Sequence, residues 1–244
     1  NKKGGYMVSP SIEVLIYIEH NGEVKASELK HWRETSLRGV IGKLEAQSLI
    51  LRKKSSSEVI YRLSDAGVEY LDRFLESLHK TTPVSSKWSF VFFSIPEKKR
   101  TVRDRLRRFL RQAGYGHLFG AIWVAPSQPN LARQVMTYAK SLKVSNNVQV
   151  IEGVSQKESD QDIVAAVWDL GKIANRYRAF IKKAKEKIKT IKSDAEPKYE
   201  AKKLIFELAM IMYDDPNLPT TALPRDWPRD EALEVYKEIR KKIN

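Results

Sequence analysis

The chain has 244 residues, of which 42% are hydrophobic and none is cysteine, and its formal net charge is +14. This length and composition allow more than one buried core, while the absence of cysteine excludes disulfides, thiolate zinc sites and a cysteine nucleophile. Its first residues lack the apolar segment of a signal peptide, and no apolar run approaches the ~20 residues that span a bilayer. We therefore expect a cytoplasmic protein without a membrane-spanning segment.

The positive charge is concentrated in the middle of the chain. Residues 81–157 contain 13 basic and 3 acidic residues, whereas residues 1–80 contain 13 and 11, and residues 158–244 contain 18 and 16. Such an excess attracts nucleic-acid phosphates at long range, although a merely solvated surface can have the same composition. Charge alone thus favours nucleic acid as the partner and says nothing about sequence selectivity.

The N-terminal part begins with a capped helix. Ser9-Pro10 precedes an apolar segment that Asn21-Gly22 closes, which is the pattern of a helix with an N-cap, a proline in its first turn and a glycine after its end. A short segment at residues 26–32 follows. We predict that this helix is buried on more than one side.

A second amphipathic helix follows, and its outer face is small and basic. Thr35 or Ser36 can cap it, and we predict that both belong to the surface by which this helix contacts DNA. Apolar residues recur at helical spacing on one side, at Leu37, Val40, Ile41 and Leu44. The opposite side carries Arg38, Gly39, Gly42, Lys43 and Ala46. Small side chains permit a helix to enter a DNA major groove about 12 Å wide, and arginine and lysine then contact guanines and phosphates.

The next segment predicts a β-hairpin with a basic tip. Two strand-like runs, Leu49–Lys54 and Glu58–Leu63, flank three serines, so Arg52, Lys53 and Lys54 lie near the turn. Ser64 then caps a last helix, with four residues predicted inward: Val68, Leu71, Leu75 and Leu78. Three helices, a hairpin and a helix within residues 1–80 are typical of a winged helix-turn-helix DNA-binding domain; a winged helix that docks protein stays open as the alternative.

The central domain, residues 87–157, alternates strands and helices. The prediction comprises a strand at 88–95, a helix at 98–113, a strand region at 117–126, a helix at 130–142 and a strand at 147–154. This alternation predicts a ferredoxin-like α/β sandwich with one strand still unassigned. The segment 80–87, with its Thr, Pro and Ser residues, is the predicted linker before it.

The first central helix is rich in arginine. Four arginines share one side of it, at Arg100, Arg103, Arg107 and Arg111, with Arg105 and Arg108 beside them. They are candidate contacts for nucleic acid or an anionic effector, with an acidic partner or a solvated face as alternatives. The domain has three acids, Glu97, Asp104 and Glu152. Because a metal-dependent hydrolase needs several converging carboxylates, we predict no catalytic residues and no metal site.

Residues 158–244 predict a helical domain. One long helix or two consecutive helices cover 162–192, and a helix at 198–213 is apolar on all sides, which implies burial between domains or subunits. A proline-rich loop at 214–228 and a final helix at 230–243 complete the chain. The overall prediction is an α+β protein with three domains.

Three stretches together resemble the PaaX family, the repressors of phenylacetate degradation in bacteria. They are KWSFVFFSIPEKKRTVRDRLRRFLRQAGYGHLFGAIWVAP (87–126), WDLGKIANRYRAF (168–180) and DPNLPTTALPRDWPRDEA (215–232). The resemblance implies a winged helix, a central domain similar to the small CRISPR adaptation nucleases and a helical C-terminal domain. It also implies a homodimeric repressor that binds double-stranded DNA and is released by a coenzyme A thioester, with no resident cofactor.

The sequence departs from the family pattern in two places. Ser94 stands where the related nucleases, and commonly this family, have an aspartate at the end of the first strand. A hydroxyl does not replace a metal-binding carboxylate, so we expect no nuclease activity. The family's Trp-Pro-Gly reads Trp227-Pro228-Arg229 here, and the helix before it is unusually apolar, which bears on the identity of the effector.

Overall fold

The computed structural model describes residues 8–31, 34–54, 58–80, 87–154, 160–189 and 195–243. The chain divides into two compact units: unit 1 comprises Asn1–His79, Ala174–Tyr213 and Pro228–Asn244, and unit 2 comprises Lys80–Ile173 and Asp214–Trp227. Both units contain helices and an antiparallel sheet, which confirms the α+β class. The division of the chain into three domains at 1–80, 87–157 and 158–244 stays a prediction. The two packing units do not coincide with these ranges, because residues after 157 are divided between both units.

Unit 1 combines a small sheet with helices from both ends of the chain. Its elements are α1 (Pro10–Asn21), β1 (Glu23–Lys25), a 3-10 helix (Glu28–His31), α2 (Glu34–Ala46), β2 (Ile50–Lys54), β3 (Val59–Leu63) and α3 (Asp65–Glu76). The sheet has the order β1-β3-β2 and is antiparallel throughout. Sequence patterning predicts only the β2–β3 hairpin, because a three-residue strand such as β1 is too short to show alternation.

The start of α1 and α3 follows the predicted capping. Ser9 Oγ accepts a hydrogen bond from Ile12 N, and Ser64 Oγ accepts one from Gly67 N at 3.0 Å. The predicted inward face of α3 is wrong at Val68, which is 45% exposed, whereas Leu71 is buried. Gly67 is buried too and packs against the chain at Leu49, so the buried row of this helix runs from Gly67 to Leu71.

The later helices of the chain are α6 (Asp160–Val167), α7 (Leu170–Ile188), α8 (Ala195–Asp214) and α9 (Arg229–Ile243). The region predicted as one or two helices is therefore two, α6 and α7. The apolar helix α8 contributes Phe206, 2% exposed, to the same core as α1 and β2, and Ser77 Oγ donates to Ala209 O. Burying one such aromatic side chain stabilises the unit by about 1.5–3 kcal/mol. Leu204, Leu208 and Ile211 of this helix are also buried, which explains why it is apolar on so many sides.

Unit 2 contains a β-α-β-β-α-β arrangement. Its elements are β4 (Trp88–Phe93), a 3-10 helix (Glu97–Lys99), α4 (Arg100–Gln112), β5 (Gly116–Phe119), β6 (Ile122–Pro126), α5 (Leu131–Ser141), a 3-10 helix (Ser145–Asn147) and β7 (Val148–Gly153). The antiparallel sheet has the order β5-β6-β4-β7. The strand missing from the sequence prediction is β5, because the region 117–126 is a hairpin of two strands that turns at Gly120 with φ 53°.

The two faces of this sheet pack against different helices. Val91 of β4 and Trp123 of β6 lie on the face that α4 and α5 cover. Trp88 and Val124 lie on the other face, with Ile163 of α6. This division follows from the alternation of side chains along a strand. It explains the continuous apolar run of β4, and it directs the outer sides of α4 and α5 into solvent.

A buried hydrogen bond in unit 2 gives a testable stability term. Ser89 Oγ and Tyr115 Oη lie 2.7 Å apart, and both residues are almost fully buried. Burial raises the pKa of the Tyr115 hydroxyl to about 12. Ser89→Ala leaves that hydroxyl unpaired, so we expect the free energy of unfolding to fall by about 1–3 kcal/mol.

Denaturant titration at neutral pH measures this change, and an unaltered midpoint would contradict it. A pH series provides a second readout. The folded protein favours the neutral phenol of Tyr115. The contribution of this preference to the free energy of unfolding is complete below the unfolded pKa near 10, and it is lost as the pH rises through the folded pKa of about 12.

None of the helices within the described residues is long and apolar enough to cross a bilayer.

Candidate nucleic-acid interface

The outer face of α2 is open and basic, as predicted. Arg38, Gly39 and Lys43 are all exposed, and a Cβ atom added at Gly39 or Gly42 would meet nothing within 4 Å. The helix is held from its other side, where Ile41 and Leu44 are buried. A polyanion can therefore approach the backbone of α2 closely between two cationic side chains.

The start of α2 differs from the prediction. The helix begins at Glu34, so Thr35 and Ser36 lie in its first turn and neither is the N-cap residue. Helix ends are the least certain part of any pattern, since several polar residues near a start can serve as a cap. The side chains of Thr35 and Ser36 lie outside the described residues, and their proposed role stays a prediction.

The three cations of the hairpin do not share one face. Arg52 pairs with Tyr61 and Lys54 with Val59, while Lys53 pairs with Ile60. Because side chains alternate along a strand, Arg52 and Lys54 lie on the face of Tyr61 and Lys53 lies on the opposite one. All three are exposed. The tip, residues 55–57, lies outside the described residues.

A groove joins α2 to this hairpin. Its volume is about 510 Å³, which lies within the range of roughly 300–1,000 Å³ that is usual for binding clefts. Arg38 and Glu45 of α2 line it, together with Arg52 and Tyr61 of the sheet, and its apolar floor includes Leu29. The fold thus brings the two candidate cations Arg38 and Arg52 together, although they belong to different elements.

The groove also contains groups that tune its charge. Burial raises the pKa of the Tyr61 hydroxyl, and the positive charge of Arg52 opposes that rise in part. Tyr61 therefore remains a neutral phenol in the physiological range. Glu45 is the acid among the groove-lining residues, and its carboxylate repels phosphates, so it limits how closely an anion can enter beside Arg52.

An ion pair and hydrogen bonds hold both ends of β3. On one side, Lys25 Nζ of β1 lies 3.0 Å from Glu58 Oε2, and Ser27 Oγ donates to Glu58 Oε1. On the other side, Ser64 Oγ donates to Ser48 O. The ion pair is largely exposed and contributes little stability by itself. Its effect is to fix the hairpin relative to β1.

The arginine row predicted on α4 is mostly engaged within the protein. Arg103 Nη1 lies 2.8 Å from Glu97 Oε2, and this hydrogen bond and charge lower the pKa of Glu97. Asp104 lies 3.9 Å from Arg100 and 3.8 Å from Arg107. The guanidinium of Arg111 lies 5.7 Å from the centre of the Trp123 ring. Their role as nucleic-acid or effector contacts stays a prediction.

Two further arginines of α4 point outward. In the sequence they lie beside the predicted arginine row. Arg105 and Arg108 are exposed, and neither forms an ion pair with a described residue. Their position is visible in the sequence, because they lie opposite the buried Leu106 and Leu110 on a helical wheel. Periodicity therefore identifies them as solvent-facing, whereas only the structure shows which of the neighbouring arginines are paired with acids.

The acids of the central region are dispersed. Glu97 and Asp104 pair with arginines, and Glu152 accepts a hydrogen bond from Ser127 Oγ at 2.6 Å. Ser94 follows β4, is exposed, and donates its backbone N–H to Asn147 O. Within the described residues, no three His, Asp or Glu side chains are grouped so that they could hold a metal ion.

Comparisons with known proteins agree with the resemblance noted in the sequence. The family model described as "PaaX protein central Cas2-like domain" matches residues 81–165, and that described as "PaaX-like protein C-terminal domain" matches residues 168–244. The solved structure of the uncharacterized protein Rv0674 from Mycobacterium tuberculosis aligns with a TM-score of 0.56 at 18% identity, over 98% of this chain and 97% of that one, and shows a similar fold. Among curated proteins, no sequence matches the chain significantly.

The matched domains define a class of proteins, those in which a PaaX-like C-terminal domain follows a central Cas2-like domain. The two models together match about two thirds of the sequence. The chain belongs to the PaaX family.

Proposed function

We propose that the chain is a DNA-binding transcriptional repressor. Its N-terminal module, α1 to α3, is a winged helix-turn-helix domain in which α2 is the recognition helix and the β2–β3 hairpin is the wing. The β4–β7 sheet with α4 and α5 is a ferredoxin-like sandwich. Membership of a regulator family and the basic outer face of α2 support this proposal.

The groove between α2 and the wing is the observation that carries it. It has Arg38 on one side and Arg52 on the other, beside a helix face that is open at Gly39 and Gly42. A recognition helix needs small residues for close approach to base edges and a few arginines that donate two hydrogen bonds to guanine. The wing cations then contact the adjacent phosphates, which fixes the register of the helix on DNA.

A repressor of this kind acts as a homodimer. Two identical subunits related by a two-fold axis bind half-sites about 34 Å apart, one helical turn, or a multiple of that distance. The operators are therefore expected to be palindromic.

A fluorescence titration with the chain's own upstream DNA and a scrambled duplex tests the proposal. We expect the upstream DNA to bind at least about 10³-fold more tightly, as is typical of sequence-specific proteins. Repeating the titration across salt concentrations separates specific contacts from phosphate contacts. Equal and weak binding to both duplexes would contradict a specific repressor, and an absence of salt-dependent binding would favour a protein-docking module.

The wing makes a separate prediction. Lys53→Ala and Lys54→Ala are expected to weaken binding to all sequences alike, and each lost phosphate contact should flatten the slope of log K against log salt by roughly 0.9. Since the two side chains lie on opposite faces of the hairpin, the single variants test which face contacts the backbone. Slopes equal to the parent's in both variants would remove the wing from the interface.

The effector class rests on the family resemblance. A coenzyme A thioester that releases the repressor must bind the DNA-free protein more tightly than the DNA-bound one. We expect one member of a panel of acyl coenzyme A thioesters to lower the affinity for the upstream DNA and free coenzyme A to have no effect. Unchanged DNA affinity over a full thioester titration would assign the effector to another chemical class.

A metal-dependent nucleic-acid hydrolase, or another CRISPR-associated activity, is the alternative function. The match of residues 81–165 to a Cas2-like model favours it. Ser94 at the position of the usual aspartate and the dispersed acids weigh against it. Incubating the chain with DNA and with RNA in magnesium or manganese distinguishes the two functions. Cleavage that depends on the metal would support the hydrolase.

A further inference from the structure

Helices α4 and α5 form a two-helix layer on one face of the unit 2 sheet. Leu106 and Leu110 of α4 and Val135 and Ala139 of α5 are buried in one core. The rings of Phe109 and Tyr138 stack with their centres 4.2 Å apart, which places the two helices side by side. Their remaining sides face away from the sheet.

The outward side chains of this layer include two rows of basic and uncharged polar residues, with the exposed Asp104 beside the row on α4. The row on α4 consists of Thr101, Arg105, Arg108 and Gln112, and the row on α5 consists of Arg133, Thr137 and Lys140. Spacings of three and four residues put the members of each row on one side of their helix. All seven side chains are exposed. We call this surface the two-helix basic face.

None of the four cations of the two-helix basic face forms an ion pair with a described residue. Asp104 and Glu97 are directed to Arg100, Arg107 and Arg103, which flank the face. Arg133 donates to Asn130 Oδ1, a neutral amide, so its charge is not compensated. The face thus has four positive charges and three neutral hydrogen-bonding groups, from threonine and glutamine.

We infer that the two-helix basic face binds the phosphate backbone of double-stranded DNA without regard to sequence. Arg, Lys, Thr and Gln side chains are the ordinary donors to phosphate oxygens. A protein partner would call for buried aromatic or aliphatic anchors at the centre of the interface, and the two rows contain none. A single strand would call for exposed aromatic rings on which bases stack, whereas Phe109 and Tyr138 are stacked on each other.

The spacing of the rows also suits a duplex. Packed helices lie about 8–10 Å apart, and their long arginine and lysine side chains can converge or spread from that separation to reach both sides of a B-DNA groove about 6 or 12 Å wide. Two rows at that separation can contact the two backbones that border one groove. Such contacts supply affinity and salt dependence and carry no sequence information.

A four-fold alanine variant tests the inference in the full chain. Arg105, Arg108, Arg133 and Lys140 are replaced together, and binding to a random-sequence DNA duplex of about 40 base pairs, roughly four helical turns, is measured across salt. The slope of log K against log salt should fall by about 0.9 per lost contact, hence by up to about 3.6. The control replaces four exposed cations elsewhere, Lys182, Arg240, Lys241 and Lys242, and should leave the slope unchanged.

Two further measurements distinguish DNA binding by this face from unfolding of the variant and from binding of RNA. The pair on α4 and the pair on α5 are also replaced separately, and each replacement should produce part of the decrease in salt slope. Far-ultraviolet circular dichroism and thermal unfolding verify that each variant folds. A slope equal to the parent's in the folded four-fold variant would overturn the inference. Loss of binding to an RNA duplex with DNA binding intact would also overturn it, since the partner would then be RNA.

The outcome is independent of the recognition helix. The four-fold variant should weaken upstream and scrambled DNA equally, so the ratio of their affinities stays that of the parent. If α2 does not bind DNA in a sequence-specific way, the ratio of the affinities for upstream and scrambled DNA changes. The effect of the four-fold variant on the slope of log K against log salt stays the same. The two proposals can therefore fail separately.

Discussion

Gly67→Ala is expected to destabilise the protein strongly. A Cβ atom at this position would lie 2.1 Å from the carbonyl oxygen of Leu49, which is backbone and cannot rotate away. The same residue donates its N–H to Ser64 Oγ, and Ser64 N donates to Leu49 O. Forcing a methyl group into filled space costs about 1–3 kcal/mol, and we expect the upper end because the backbone at the start of β2 must shift.

Equilibrium unfolding in urea, followed by circular dichroism, measures this loss. Gly42→Ala is the matched control, because a Cβ at Gly42 meets nothing within 4 Å and the residue lies inside α2. There the substitution should raise the free energy of unfolding by about 0.5–1 kcal/mol through better helix propensity. A Gly67→Ala variant as stable as the parent would show that the approach of α3 to Leu49 is looser than the structure has it.

Arg38→Ala is expected to reduce sequence-specific binding more than any other single change in the proposed recognition helix. If Arg38 donates two hydrogen bonds to a guanine, its loss costs about 1–3 kcal/mol on the upstream DNA. That is roughly a 5- to 150-fold loss of affinity. The affinity for a scrambled duplex should change much less, so the ratio between the two duplexes falls.

Arg38→Lys and Lys182→Ala complete this test. Lysine keeps the charge and loses the planar fork of arginine, so Arg38→Lys should keep the salt slope without restoring specificity. Lys182 is exposed on α7, and its removal should change neither quantity. Equal losses on both duplexes in Arg38→Ala would show that Arg38 contacts a phosphate and that another residue distinguishes the bases.

Local signals placed most of the elements correctly. Ser9-Pro10 and Asn21-Gly22 delimit α1, and Ser64 begins α3, because caps act through hydrogen bonds only a few residues long. The outer face of α2 followed from helical periodicity. Thr35 and Ser36 were misplaced as caps because neighbouring polar residues compete for that role, and β1 was missed because three residues show no period.

Long-range packing decided the remainder. The strand β5 is recognisable only from its pairing with β6, since a single apolar run and a tight hairpin have similar composition. The inward position of Val68 was predicted wrongly because the close approach of Gly67 to Leu49, which is not visible in the periodicity, rotates the buried row of α3.

The sequence by itself determined the α+β class, the positions of most helices and strands, the concentration of positive charge at residues 81–157 and the PaaX resemblance. These properties depend on composition, on short-range periodicity and on motifs contiguous in the chain. Only the tertiary structure decided which cations lie on the same surface. Arg38 meets Arg52 across one groove, and Arg105 and Arg108 join Arg133 and Lys140 on one face, because packing brings together residues that are distant in sequence.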